Sequence, residues 1–374
     1  MERTAKALKR LVTYILIAAT CAAPAQDPKE WAAMGAWFKD WPVLYENDRA
    51  SFLKEFALSG RYEGQDYHLS GTAGDTQGWD HRRIRYGFRA QFSHDLDLAA
   101  QANADGNEGE AYQSLWNAAL TWKPIPAFSF RIGKFKPRWS YEYFLASYET
   151  LTLERSLLSN QARPQITPGA GIDGQAGLWD WSVGVFSGDW DRDFGHFDTG
   201  AMYAASLGLD VHGPTHTEKA HLRLDYLGDD GHDGKTSKGP WDHNFALSLD
   251  VRQGPWGILA ETVCASGGPE TAYSFMLMPS YELGQKWQIV GRLQYAAAGT
   301  DVLRSTSRYE RLAPALPSDA KGDRYQAVFL GLNYLIQGNH LKLMTGIEYA
   351  HMDSSQSVSR YDDWTWISGI KMYF

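Results

Sequence analysis

Residues 363–374 read Asp363-Trp-Thr-Trp366-Ile-Ser-Gly-Ile370-Lys-Met-Tyr-Phe374. Trp364, Trp366, Ile370, Met372 and Phe374 share one parity, and Asp363, Thr365, Gly369 and Lys371 take the other. Successive side chains point to opposite faces of a strand, so the segment is a strand with one greasy side. Sandwiches also use such strands, but theirs are shorter and more polar on the outer face. A membrane barrel shows one face of each strand to lipid and the other to water. The 374-residue chain carries 15 Trp, 20 Tyr, 16 Phe and 36 Gly, and its charged fraction is 21%. Mean hydropathy is −0.42. With no apolar run near 18 residues beyond the N-terminal segment, an α-helical membrane protein is excluded. The same composition argues against a disordered or nucleic-acid-binding chain.

The alternation recurs upstream. Ile84, Tyr86, Phe88, Ala90 and Phe92 alternate with Arg83, Arg85, Gly87, Arg89 and Gln91; Trp116, Ala118, Leu120 and Trp122 alternate with Asn117, Ala119, Thr121 and Lys123. Leu341, Leu343, Ile347 and Tyr349 likewise alternate with Lys342 and Glu348. Sixteen strands are expected, near 54–64, 82–92, 95–104, 112–123, 127–135, 171–178, 180–188, 201–211, 218–228, 243–252, 256–265, 271–283, 287–296, 323–335, 340–350 and 362–374. An even number of segments, each about 9–11 residues long, suits a single-chain bacterial barrel. Every second link is short, for example Ser93-His94 and Gln253-Gly254-Pro255, whereas 136–170 and 297–322 are long. Short periplasmic turns and long outer loops are the barrel pattern, and a barrel of this size holds a water-filled channel. The expected fold is therefore all-β, a transmembrane antiparallel β-barrel over 54–374 whose long third outer loop folds into the lumen.

At the N-terminus, Arg3, Lys6, Lys9 and Arg10 precede an apolar run from Leu11 to Ala22 and a small-x-small Ala23-Pro24-Ala25. This reads as a secretory signal peptide over 1–25. Its removal takes four bases and one acid and shifts the formal charge from −8 to about −11. Cys264 would then be the sole cysteine, so no intrachain disulfide is expected. Residues 26–53 form a periplasmic segment in which Trp31, Met34, Phe38 and Trp41 lie at helical spacing.

The third outer loop, 136–170, is longer than closure requires. It carries Lys136, Arg138, Arg155 and Arg163 against Glu142, Glu149 and Glu154. Arg131-Ile-Gly-Lys134-Phe-Lys-Pro137, Leu153-Glu-Arg155-Ser156-Leu, Arg163, Gly171-Ile-Asp-Gly174 and Trp181-Ser-Val-Gly184-Val-Phe-Ser-Gly188 resemble the phosphate-selective porin O/P family. That resemblance implies a sixteen-stranded, commonly trimeric outer-membrane channel. It also implies an anion path that by position involves Arg131, Lys134, Lys136, Arg155 and Arg163, with Arg138 beside them at the constriction. The chain is short for the family, and its third loop mixes acids with bases.

Independently of the resemblance, Arg83, Arg85 and Arg89 share the inward parity of one strand, and Arg131, Arg223, Arg292 and Lys342 are inward on others. An arginine fork donates two hydrogen bonds to an oxyanion, and a string of such sites hands an anion on without trapping it. The opposing reading is a structural mesh with Asp97, Asp225, Asp250, Glu261 and Glu348.

Other motifs are set aside. Gly169-Ala-Gly171-Ile-Asp-Gly174 precedes a strand rather than a helix, against dinucleotide binding. Phe194 replaces the glycine that an EF-hand starting at Asp189 would need. The expectation is an outer-membrane porin for small anions such as phosphate, without cofactor, metal or enzymatic activity. Its expected associates are lipid and lipopolysaccharide, the barrel assembly machinery through Phe374, and two further copies of itself. A general or sugar-selective pore, kept open by Trp139, Tyr141, Tyr143, Phe144 and Tyr148, is the nearest alternative. A barrel hydrolase or an adhesive barrel with a blocked lumen is the alternative of another class.

Overall fold

The computed structural model describes residues 42–230, 236–304 and 309–374. The signal-peptide segment, the helical spacing of 26–41 and part of the acidic run after Asp229 lie outside these residues.

A short strand, β1 (Val43–Glu46), precedes sixteen long ones. These are β2 (Leu53–Gly71), β3 (Thr76–Phe92), β4 (Leu96–Asp105), β5 (Glu110–Ile125), β6 (Phe128–Phe135), β7 (Thr167–Ala176), β8 (Trp179–Ser187) and β9 (Ala201–Asp210). There follow β10 (Lys219–Asp229), β11 (His243–Gln253), β12 (Trp256–Ser266), β13 (Ala272–Leu283), β14 (Trp287–Ala298), β15 (Arg324–Leu335), β16 (Leu341–Asp353) and β17 (Tyr361–Tyr373). Each long strand pairs antiparallel with its sequence neighbours, and β17 pairs with β2, which closes the sheet into a sixteen-stranded barrel. Closure removes the open sheet edge that would otherwise template aggregation. At the seam, Arg61–Gly71 pair with Asp363–Tyr373, and the Phe374 backbone exchanges hydrogen bonds with Gly60 at 3.0 and 3.1 Å. Below that point β1 takes over the edge of β2, pairing with Glu55–Ala57.

The period-two pattern sorts side chains as expected. Leu224, Leu247, Leu293 and Val328 face outward and are about half exposed, while Arg223, Ser248, Arg292 and Phe329 on the opposite parity are buried inside. The inter-strand turns on the periplasmic side are tight. His94 and Asp95 both adopt positive φ between β3 and β4, and Gly254 does so between β11 and β12. Three short helices lie between strands: α1 (Tyr141–Phe144) and α2 (Leu157–Gln161) within the third outer loop, and α3 (His212–Thr215) between β9 and β10.

Two strands run beyond their expected ends. The β2–β3 hairpin extends to Gly71 and Thr76, where alternation alone stops near 64 and 82. The cause is a β-bulge: Glu63 pairs with Arg83 and Gly64 with His81, so Arg82 is the extra residue and the parity flips there. A second bulge falls at Trp116, between the pairs Gln101–Asn117 and Ala102–Leu115. Trp116, expected among the outward residues, instead stacks on Arg85 with the guanidinium carbon 3.3 Å from its ring centre. Strand β7 begins at Thr167, so the third outer loop spans 136–166.

Candidate functional site

Inside the barrel the two halves of the wall carry different side chains. From β4 to β9 the inward positions include the small residues Ala99, Ala119, Gly171, Ser182, Gly184 and Ala204 beside the larger Asp97, Gln101, Asp173, Phe186 and Met202. From β10 round to β3 they include long, charged or aromatic residues, among them Arg223, Glu261, Arg292, Phe329, Lys342 and Lys371, beside small ones such as Ala246, Ser248, Ala265 and Gly369. Phe329 finds room only because Gly346 faces it; a Cβ there would lie 2.3 Å from the ring.

The third outer loop is sewn to the long-residue wall. Glu261 on β12 is 2% exposed and accepts hydrogen bonds from the hydroxyls of Ser140 (2.8 Å), Ser248 (2.8 Å) and Ser159. It also accepts from the backbone N–H groups of Tyr141 (2.7 Å) and Glu142 (3.2 Å). Among the described residues no cation lies within 4.0 Å of it. A buried carboxylate persists without a counter-ion only when its lone pairs are filled in this way. Lys371 donates to Ser147 O (2.9 Å), Thr150 Oγ1 (2.7 Å) and Thr152 O (3.3 Å), and Lys342 to Thr150 O at 3.0 Å. Arg292 pairs with Glu348 at 2.6 Å and donates to the loop at Glu154 O, 2.5 Å away. Leu157 and Leu158 of α2 belong to one buried apolar cluster that also holds Val263, Met344 and Ile367 on this wall and Phe135, Phe186, Met202 and Ala204 on the other. The loop thus occupies that side of the barrel and leaves a cavity beneath it.

The predicted cations divide accordingly. Arg83 pairs with Glu63 at 2.5 Å, Arg89 with Glu55 at 2.9 Å and Arg223 with Asp225 at 2.9 Å. Arg138 pairs with Asp180, which also meets His221 at 2.6 Å. These residues, with Arg292 and Lys342, form the mesh rather than a free ladder. Lys134 is a correction of another kind: in register with Ala118 and Pro168, it sits on the parity opposite Arg131. Its ammonium binds the carbonyls of Asp191, Arg192 and Asp193 and so fastens the loop after β8. Lys136 is likewise enclosed, donating to the carbonyls of Tyr143, Phe144 and Leu145 at the end of α1.

Four of the predicted arginines have no carboxylate within 4.0 Å among the described residues: Arg85, Arg131, Arg155 and Arg163. Arg85 leans on Trp116 and donates from Nε to Asn103 at 2.9 Å. Arg155 donates to the carbonyls of Glu142 and Leu145, and Arg163 lies 5.9 Å from the Tyr143 ring centre. Arg155 is held down to about 10 by burial and by the neighbouring Arg83 guanidinium. Lys136 is pushed well below the ordinary lysine range by burial and by Arg155, Arg85, Arg61 and Arg83 around it. These basic groups thus crowd one another beside the loop.

Arg131 differs from the other three because it borders open space. One cavity of about 350 Å³ is lined by Arg89, Asp97, Ala99, Asn117, Thr121 and Arg131. A second, of about 230 Å³, is lined by Arg131, Arg138, Gly171, Ser182, Gly184 and Ala204, among others. Arg131 and Phe135 belong to both, with the guanidinium carbon 5.3 Å from the ring centre. A third cavity, also about 350 Å³, lies under the loop on the other side, bounded by Thr150, Lys219, Asp250 and Met278.

Other contributors escaped the sequence reading. The bulge brings Arg82 within 3.1 Å of Glu154, a contact that strict alternation places on the wrong face. Arg61 donates to Ser147 at 2.8 Å and lies over the Tyr148 ring at 4.8 Å. Its parity with Ser59 and Glu63 was the available signal. Of the loop aromatics, three serve packing, and Tyr141 and Phe144 border cavities. Trp139 and Tyr143 are buried, and Tyr148 stacks on Tyr373 at 3.7 Å, which in turn stacks on His340. Gly169–Gly174 runs within β7, away from any helix start. Among the described residues no group of three or more His, Cys, Asp or Glu converges as a metal site.

Comparison with known proteins agrees with this geometry. Residues 56–230 match the family described as phosphate-selective porin O and P. No curated protein shows significant sequence similarity to the chain. Among solved structures, the anion-selective porin from Comamonas acidovorans superposes with a TM-score of 0.60 at 11% identity, covering 85% of this chain and 99% of that one. OmpF of Salmonella typhi, in complex with daunomycin, gives 0.58 at 12% identity over 86% and 98% of the two chains. The outer-membrane channel DcaP of Acinetobacter baumannii gives 0.54 at 11% identity over 88% and 99%. At such identities the likeness is one of fold. Residues 56–230 thus match the phosphate-selective porin O and P family, and the chain is built as a closed sixteen-stranded barrel of the outer-membrane porin kind.

Proposed function

We propose that this porin passes small solutes by passive diffusion with a preference for anions, inorganic phosphate and related oxyanions foremost. The observation that carries the reading is Arg131: an inward guanidinium, without a carboxylate partner among the described residues, bordering both cavities on the small-residue wall. Its one side-chain hydrogen bond, to Thr121 Oγ1 at 3.3 Å, engages only Nε. The rest of the planar fork stays available to an oxyanion. A charge in a narrow lumen walled by low-dielectric protein acts on passing ions well beyond the effect of net charge, so an acidic chain can still favour anions.

Export by the N-terminal signal peptide, insertion through the barrel assembly machinery at Phe374 and contact with lipid and lipopolysaccharide complete the reading. We place it as a homotrimer. On the outward parity of adjacent strands, Thr345 and Ser368 pair at 2.8 Å, a polar spot better covered by a second protomer than by hydrocarbon. The sugar-selective alternative keeps Tyr141 and Phe144, which border cavities, whereas Trp139, Tyr143 and Tyr148 are taken up by packing.

The test is the single-channel reversal potential of purified protein in a salt gradient, with and without phosphate. Anion-dominated reversal, reduced by at least half in Arg131→Gln, is expected. Cation selectivity of the unaltered protein contradicts the anion preference while leaving the pore intact.

A further inference from the structure

The inner face of a water-filled barrel is ordinarily polar. On β12–β14 it is not. Leu259, Met276, Met278 and Val290 take the inward parity of these three neighbouring strands and form one buried apolar cluster. Tyr141 and Leu151 of the third outer loop pack against it. The cavity of about 350 Å³ under the loop borders this patch, with Leu151, Leu259 and Met278 in its lining. That volume falls within the range of about 300–1,000 Å³ common among small-molecule sites. The cavity shares no lining residue with the two that Arg131 borders.

The charges around it are not balanced alike. Asp250 is met by Lys219 at 2.5 Å and by the Tyr141 hydroxyl at 2.7 Å. Of the loop carboxylates in the lining, Glu142 accepts from the Ser156 N–H, and Glu149 accepts from the Ala146 N–H at 3.0 Å. Arg252, in register with Lys219 on the inward parity of β11, lines the same cavity and is exposed. Among the described residues it has no carboxylate within 4.0 Å and no side-chain hydrogen bond. Lys219 opens β10, Arg252 stands one residue from the end of β11 and Asn339 lies in the turn before β16, so the cavity belongs to the periplasmic half of the lumen.

We infer that this cavity is a binding site for small amphiphilic monocarboxylates, an aromatic or branched apolar body that carries one carboxylate. The inference goes beyond the channel reading above, because the site requires neither conduction nor Arg131. The Arg252 fork takes the carboxylate through two parallel hydrogen bonds. The body lies against Leu151, Leu259 and Met278, where leaving water is favourable, and a methionine thioether makes good contacts with an aromatic ring. A hydrophilic oxyanion such as phosphate gains only the first of these contacts, and an aromatic amine only the second.

Fluorine NMR of 3-(4-fluorophenyl)propionate, added to the full chain in lipid nanodiscs, reads the site without recording current. Empty nanodiscs supply the baseline for partition into lipid. Line broadening above that baseline is expected to saturate and to be reversed by unlabelled 3-phenylpropionate. Propionate and 2-phenylethylamine, at equal concentration, are expected to leave it in place. Arg252→Gln and Leu151→Gln should each weaken the apparent affinity at least fivefold, whereas Arg131→Gln should not change it. Each variant is first checked for the heat-dependent gel shift of a folded barrel; Leu145→Gln, in the same lining, replaces Leu151→Gln if that variant fails it. Broadening no greater than in empty nanodiscs, or equal competition by propionate, overturns the site. So does an affinity that survives Arg252→Gln and is lost in Arg131→Gln. Because the readout is independent of current, saturable binding to a protein that conducts cations or nothing at all would support the site while contradicting the anion-channel reading.

Discussion

The wall from β4 to β9 and the wall from β10 round to β2 are indistinguishable from outside, where both present alternate apolar residues. Inside they part company. The first carries Ala, Gly and Ser beside Asp97, Phe186 and Met202, with Arg131 bordering two cavities, and the second carries paired charges and large rings stitched to the third outer loop. Alternation makes a barrel; the volume of the inward residues decides which part of it stays empty. A count of inward cations therefore says little about permeation, because most of them hold the loop in place. Arg292, with Glu348 at 2.6 Å and the Glu154 carbonyl at 2.5 Å, is a fastening; Arg131, bordering two cavities, is not.

The largest effect expected from this contrast is on the open wall. Arg131→Glu should invert the sign of the reversal potential in a potassium chloride gradient, and an unchanged sign would remove Arg131 from the selectivity mechanism. On the loop-bearing wall the effect should be on stability. Arg292→Met strands the buried carboxylates of Glu348 and Glu142, and breaking a buried pair from one side costs about 3–5 kcal/mol. A lower urea midpoint, with ion selectivity preserved, is the expected readout. Glu261→Gln is milder, because the amide keeps one acceptor but sets an NH2 against donors. A loss of about 1–3 kcal/mol, with a noisier open channel, would follow from a loosened loop. A variant as quiet and as stable as the parent would show that the seam does not depend on this carboxylate.

The smallest effect separates the walls by pH. Arg155, pulled down to about 10 by burial and by Arg83, keeps its charge at neutral pH and loses it as pH rises through that value, where an ordinary arginine stays charged. If passage depends on Arg131, the reversal potential should hold between pH 7 and 10. A marked fall in anion preference over that interval would move the path to the loop cluster.

How much of this was legible beforehand follows from the physics of each feature. Alternation is a local signal, so sixteen strands, their facing and the tight turns could be read with small shifts at the ends. Bulges break the period, and that is why Trp116 turns from its expected outward face, Arg82 reaches Glu154 and the first hairpin runs past its expected ends. The division of the cations into fastenings and free groups depends on where the loop settles, a matter of contacts as distant in sequence as Ser140 and Glu261. Pairing with Asp225, Asp250 and Glu348 could be anticipated as one of two readings, but local pattern could not choose between them. Lys134 is the instructive miss. Its family position suggested the anion path, whereas its parity, opposite to Arg131, already pointed outside the lumen.

Conductance after a bulky insertion tests the account most directly. Gly171 faces the second cavity, and a Cβ there would stand 3.4 Å from its nearest neighbours, room enough to begin a larger side chain. In Gly171→Trp the account predicts a folded barrel whose single-channel conductance drops below about a third of the parent value, because the indole fills the cavity that Arg131 borders. Conductance equal to the parent's in that folded variant would contradict a passage along this wall.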